Sequence, residues 1–270
     1  METHKTRIRS MQWAQISLAL ALVLGAVTTP LPANPMASLP DTIEAVRPSV
    51  VGIGTYQRTR SPTTRLEATG FAIADGRHVA TNAHALSDSI ATEQGEYLSV
   101  FVGRGRDGEA RRAERVAVDR DADLAILRFD GEPLKPLTLG DSDAVREGDL
   151  LAFTGYPIGL VLGLYPATHR GIVATITPLA IPAGRDRDLD ARTLRRLRNR
   201  PPGVFQLDAT AYPGNSGSPL YHPESGHVVG IINRTLVQGS REQILSHPSG
   251  ISYAIPVGLL KDLLEEADLR

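Results

Sequence analysis

Short β-rich runs, bounded by Gly, Pro and Asp, recur along most of this chain. The first series is Val50 to Tyr56, Gly70 to Ala74, His78 to Thr81, Tyr97 to Val102, Arg115 to Val118 and Leu124 to Phe129. A second series follows: Asp149 to Phe153, Gly171 to Thr177, Val204 to Ala209, Ser218 to Tyr221, Val228 to Asn233 and Ile251 to Ile255. Many short strands between turn residues predict an all-β barrel or sandwich, and two groups of six suit two six-stranded antiparallel barrels. The last stretch, Val257 to Leu269, changes period. Leucines at 259, 260, 263, 264 and 269 predict an amphipathic helix, whose apolar edge is expected to pack back on the second barrel rather than to bind a partner.

The N-terminus reads differently. Lys5, Arg7 and Arg9 precede an apolar run from Ile16 to Val27, the layout of a secretory signal. The run is shorter than the ~20 residues that span a bilayer, which favours a cleaved signal over a lasting anchor. Pro30, Pro32, Pro35 and Pro40 then mark an extended tether, and Asp41 to Val46 a helical turn. The expected organisation is a signal or anchor over residues 1–28, a Pro-rich linker over 29–47, barrels over 48–135 and 136–256, and a helix over 257–270.

Chemistry concentrates in Gly214 to Pro219, GNSGSP. Glycines around a serine let the backbone turn tightly, leave room for a carbonyl to approach, and free N–H groups beside the hydroxyl. A serine hydroxyl is a weak nucleophile unless a base lies within hydrogen-bond reach and a third group orients that base. His84, after a strand-like run, and Asp123, directly before the apolar run Leu124 to Leu127, supply both. Asp119 and Asp121 alternate with Asp123, but only Asp123 abuts the buried strand; the other two read as solvated turn carboxylates. The order His, Asp, Ser excludes the α/β-hydrolase order and the subtilisin order. Position 218 is serine, so the G-x-S-x-G motif is absent at Ser216.

These segments resemble the HtrA (Deg) type of trypsin-like serine protease. TGFAIADGRHVATNAHAL is similar to that family's histidine segment, and DADLAILRF to its aspartate segment. LTLGDSDAVREGDLLAFTGYPIGL, GIVATI, FQLDATAYPGNSGSPL, VVGIINRT and GISYAIPVGLLKDLL follow in the family's order. The resemblance implies the chymotrypsin fold, Ser216 as nucleophile, His84 as general base and acid, and Asp123 as its orienter. The N–H groups of Gly214 and Ser216 would form the oxyanion hole. Thr210, Tyr212, Asn233, Arg234 and Thr235 would contribute to substrate binding, with the Asn233 to Thr235 backbone pairing to an extended peptide. No acidic residue lies between Thr210 and Pro213, so a small or medium apolar P1 side chain is expected in place of Lys or Arg.

Departures from the family shape further expectations. Fourteen residues follow Pro256 in this sequence, so a C-terminal helix and no PDZ domain is the expectation. Tyr212 and Ser218 stand where the family more often has asparagine and glycine. An Arg-rich insertion over 184–202, GRDRDLDARTLRRLRNRPP, precedes the strand leading to Ser216; it reads as a solvated charged loop, with a docking or activation loop for an acidic partner or membrane headgroup as the alternative.

Composition narrows the remaining options. A net charge of −1 argues against a generally basic nucleic-acid binder. With no cysteine, thiol catalysis, disulfides and cysteine metal sites are all excluded. His78, His169, His222, His227 and His247 show no metal-ligand spacing, so neither metal nor cofactor is expected. The expected partners are polypeptide substrates. The resemblance adds a homotrimer, and the N-terminus a membrane tether if it is not cleaved. The sequence therefore points to an exported serine endopeptidase, periplasmic or secreted and acting in protein quality control or processing. The alternative is a non-catalytic peptide-binding module on the same fold.

Overall fold

The computed structural model describes residues 39–86, 90–105, 108–157, 163–178, 203–233 and 250–269. A short helix, α1 (Leu39–Val46), leads into β1 (Val50–Gln57), β2 (Thr64–Ile73), β3 (His78–Thr81), β4 (Glu96–Val102), β5 (Glu109–Asp119) and β6 (Leu124–Phe129). These close into one antiparallel barrel in the order β1-β2-β3-β6-β5-β4. The strands β7 (Leu150–Gly155), β8 (Ala167–Pro178), β9 (Gly203–Asp208), β10 (Pro219–Tyr221), β11 (Val228–Asn233) and β12 (Ile251–Pro256) close a second, in the order β10-β11-β12-β9-β8-β7. The chain ends in helix α2 (Val257–Glu266). The fold is the expected pair of six-stranded barrels with one C-terminal helix.

Alternation along each strand divides the core into three. Val51, Ile53, Val79, Val100, Ala125, Leu127 and Phe129 fill the first barrel. Leu151, Phe153, Val173, Phe205, Leu207, Val229 and Ile232 fill the second. The opposite strand faces carry Phe71, Leu124, Ile126, Tyr221 and Ile231, which with Tyr156, just after β7, belong to one cluster shared by both barrels. Successive side chains point to opposite sheet faces, so a strand buried on both sides must be apolar at every position. Leu124 to Leu127 and Val228 to Ile232 meet that requirement because they lie against the seam, while Arg128 is exposed and Asn233 closes its strand.

Helix α2 completes the seam. Val257, Leu260, Leu263 and Leu264 form its buried stripe, in the same cluster as Leu124 and Ile126. The orphan N–H of Gly258 in its first turn donates to Ser142 Oγ at 3.1 Å, so the stretch between the barrels caps the helix.

Three strands run several residues longer than their patterns predict; β8 spans Ala167 to Pro178 rather than Gly171 to Thr177. β2 begins at Thr64 rather than Gly70, and β5 spans Glu109 to Asp119 rather than Arg115 to Val118. In β2 and β5 the added residues are mostly polar or charged, Leu66, Ala68, Ala110 and Ala113 excepted. They pair with β1 and β4, and apart from the buried Ala68 and Thr69 their side chains are at least partly exposed, so backbone pairing extends past the point where the apolar run stops.

Candidate active site

Asp123 sits at the tip of the β5–β6 connection with φ 54°, in the left-handed region that Asp tolerates better than most residues. Asp119 builds this turn: its Oδ1 accepts the N–H groups of Asp121 and Ala122 at 3.0 and 2.9 Å. Asp119 is therefore a turn-forming carboxylate, and Asp121 is exposed. The turn delivers the Asp123 carboxylate to the end of β3. There the Asp123 carbonyl accepts Asn82 Nδ2 and the Ala83 N–H, both at 3.1 Å.

His84 follows β3 in a single 3-10 turn, Ala83–Ala85. Its backbone N–H donates to Asp123 Oδ1 at 2.8 Å, and its Nδ1 lies 2.6 Å from Asp123 Oδ2. An ionised carboxylate only accepts, so Nδ1 carries the hydrogen and Nε2 is left as the basic nitrogen. A third donor, Asn233 Nδ2 at the end of β11, reaches the same Oδ2 at 2.8 Å. Asn233 is 2% exposed, so its side chain is spent on Asp123. The sequence reading gave Asn233 a substrate-facing backbone and missed this side-chain role, which depends on the end of a second-barrel strand abutting a first-barrel turn.

Ser216 lies in two linked turns. The Asn215 N–H donates to the Tyr212 carbonyl at 3.0 Å and the Ser218 N–H to the Asn215 carbonyl at 3.0 Å. The third residues of these turns are Gly214 and Gly217, with φ 98° and 84°. Those are the φ values of the third position in type II turns, where glycine is favoured, and Pro213 occupies the second position that proline favours. The Gly217 N–H donates to the Ile232 carbonyl at 2.8 Å, one residue before Asn233. Among the described residues, neither the Gly214 nor the Ser216 N–H has a protein acceptor, whereas Asn215, Gly217 and Ser218 all donate. Nor does any hydrogen bond join the His84 imidazole to the Ser216 hydroxyl. The structure thus brings His84, Asp123 and Asn233 into direct contact, while Ser216 is tied in through backbone bonds of its own turn.

Of the residues expected to line the substrate site, Thr210 and Tyr212 are partly exposed. The Tyr212 ring lies 5.9 Å from that of His169, which stacks on Phe153 of β7 at 5.1 Å. Burial pushes the His169 imidazole below its ordinary pKa. Arg234 and Thr235 lie outside the described residues, as does the Arg-rich insertion over 184–202.

Residues 68–231, which contain His84, Asp123 and Ser216, match the family of the trypsin-like peptidase domain. The chain belongs to this family. Within it, the chain is similar to a probable periplasmic serine endoprotease DegP-like of Halomonas elongata, with 30% identity over 197 residues, 73% of this chain and 34% of the relative. It is also similar to the mitochondrial serine protease HTRA2 of Drosophila virilis, with 29% identity over 209 residues, 77% of this chain and 41% of the relative. The chain thus spans between a third and about two-fifths of the length of these relatives. The solved HtrA-type protease AlgW with tripeptide shares the fold, with a TM-score of 0.59 and 24% identity over 84% of this chain and 62% of that one.

Proposed function

We propose that this chain is a serine endopeptidase acting on polypeptides outside the cytoplasm. His84 Nε2 takes the proton of Ser216 Oγ as that oxygen attacks the scissile carbonyl carbon. The carbonyl π electrons move to oxygen, where the Gly214 and Ser216 N–H groups hold the charge. Collapse expels the amine, which leaves with the proton from His84, and Ser216 holds the acyl group as an ester. Water then attacks by the same route, giving its proton to His84, and the acid departs as Ser216 recovers its hydrogen.

The observation that carries this reading is the 2.6 Å bond from His84 Nδ1 to Asp123 Oδ2, which leaves Nε2 as the base. The two N–H groups of the Ser216 turns without a protein acceptor support it, because an oxyanion needs donors not already engaged. Catalytic hydrogen bonds are often long in an unliganded site and tighten with substrate, so the link from His84 to Ser216 forms on binding. A small or medium apolar P1 residue is accepted near Thr210 and Tyr212. Export follows the signal-like residues 1–28 and the similarity to a periplasmic relative. No helix among the described residues is long and apolar enough to cross a membrane.

The open link between His84 and Ser216 favours a second reading, a barrel pair that captures extended peptides without cleaving them. A fluorophosphonate probe separates the two. Under the protease reading it labels Ser216, and Ser216→Ala abolishes labelling and lowers peptide hydrolysis on the order of 10⁶-fold. An unlabelled, folded wild type that still binds unfolded polypeptide supports the second reading, and a variant that keeps most of its hydrolysis overturns the assignment of Ser216.

A further inference from the structure

Thr69, in the first barrel, uses every polar atom it has on the site. It lies on β2, is fully buried, and pairs in register with Gly52 of β1. Its N–H donates to the Ser216 carbonyl at 2.9 Å. Its hydroxyl donates to the Gly214 carbonyl at 2.7 Å and accepts the Tyr156 N–H at 3.0 Å. Its own carbonyl accepts Thr81 Oγ1 at 2.7 Å, at the end of the strand that leads to His84. One residue of the first barrel thus bonds to two peptides of the serine turns, to the residue after β7, and to the strand that carries the candidate base.

Beyond the backbone bonds of the turns and their pairing with Ile232, two buried side chains of the serine turns add no hold of their own. Asn215 is fully buried, yet neither its Oδ1 nor its Nδ2 has a partner among the described residues, and the same is true of Ser218 Oγ. Glycine ψ is soft, so the Gly214–Asn215 peptide, which joins the two peptides carrying the Gly214 and Ser216 N–H groups, can rotate unless it is fixed. Its Asn215 N–H is held by the Tyr212 carbonyl and its Gly214 carbonyl by the Thr69 hydroxyl, so both ends of this peptide are fixed. The fit leaves no slack. A Cβ at Gly217 would lie 2.1 Å from the Thr69 carbonyl oxygen, and one at Gly155 would lie 2.8 Å from Thr69 Oγ1 and 2.0 Å from Ser218 Oγ.

We infer that Thr69 is a positioning residue: from the opposite barrel, it holds the Gly214–Asn215 and Ser216–Gly217 peptides, and through these adjoining peptides it sets the Gly214 and Ser216 N–H groups to face the substrate carbonyl. This rests on the protease reading for its catalytic consequence, and on the hydrogen bonds alone for its structural one. Thr69→Val keeps the shape and removes the hydroxyl, while Thr69→Ser keeps the hydroxyl. The chain bearing each is compared with wild type by steady-state hydrolysis and by hydrogen exchange of the segment from Tyr212 to Ser218.

In Thr69→Val, kcat falls on the order of 10- to 100-fold with KM nearly constant, since misplaced donors cost transition-state stabilisation more than substrate binding. Exchange quickens in that segment and stays unchanged in β6 and β11. Thr69→Ser restores both. The inference is overturned if Thr69→Val keeps wild-type kcat and exchange, if Thr69→Ser is equally impaired, or if exchange rises across both barrels in proportion to lost stability. Should Thr69→Val fail to fold, Thr69→Ala is subject to the same comparisons. A wild type that hydrolyses nothing sinks the protease reading, while exchange at the serine turns still decides the bracing role.

Discussion

Replacing Asp123 by asparagine separates orientation of the base from mere presence of a polar group. Three donors converge on the carboxylate: the His84 N–H on Oδ1 at 2.8 Å, with His84 Nδ1 at 2.6 Å and Asn233 Nδ2 at 2.8 Å on Oδ2. An asparagine offers one acceptor oxygen and one donor NH₂. With its oxygen toward His84 Nδ1, the NH₂ faces the His84 backbone N–H, and one bond becomes a donor–donor contact. Turned over, the NH₂ faces both Nδ1 and Asn233. The ring must then carry its hydrogen on Nε2, where it cannot take the proton from Ser216.

Each lost bond to the carboxylate is worth about 1.5–3 kcal/mol, so the first orientation is favoured by count. In either one, the negative charge that steadies the imidazolium during reaction is gone. The expected loss is on the order of 10⁴-fold in kcat, the size seen when the acid of a serine protease triad is neutralised, or about 5.4 kcal/mol at ~1.36 kcal/mol per decade. The assay is hydrolysis of a fluorogenic peptide with an apolar P1 residue near neutral pH, alongside circular dichroism to show that the variant is folded. A folded Asp123→Asn protein hydrolysing within about tenfold of wild type would refute the orienting role of this carboxylate.

The His169 ring predicts a pH dependence of stability. Burial lowers its pKa in the folded state, so the unfolded chain binds the proton more readily. Stability is complete above the unfolded value of about 6.5 and is lost as pH falls from there toward the folded pKa. Denaturant titrations at pH 7.5 and 5.5 should show a smaller acid loss for His169→Phe than for wild type; equal losses would remove His169 as a source. At Gly217, with φ 84°, alanine would set its Cβ 2.1 Å from the Thr69 oxygen and 2.5 Å from Thr81 Oγ1. Gly217→Ala should lower fluorophosphonate labelling of Ser216 by about 10²-fold or more. The control Gly95→Ala, at φ 74° with nothing within 4 Å, should cost only about 1–2 kcal/mol of backbone strain and keep its labelling. Equal labelling of the two variants would show that the fit around Gly217 is unimportant.

The barrels and the serine turns were legible because their signals are local. β3, β6 and β11 fall where their apolar runs predict, and Pro213-Gly214 and Ser216-Gly217 carry the residue types that type II turns demand. The extents of β2 and β5 were not legible. Their outer ends are rich in polar residues, and what keeps them extended is backbone pairing with β1 and β4.

The same division runs through the site. Residue types and their order named His84, Asp123 and Ser216 as a set, because each needs a chemistry that few side chains supply. Nothing along the chain marks Thr69 as the residue that grips Gly214, or Asn233 as a donor to Asp123. Their partners lie 145 and 110 residues away. A threonine or asparagine hydrogen-bonds to whatever the fold brings near it, so these roles came into being only when the two barrels closed against each other.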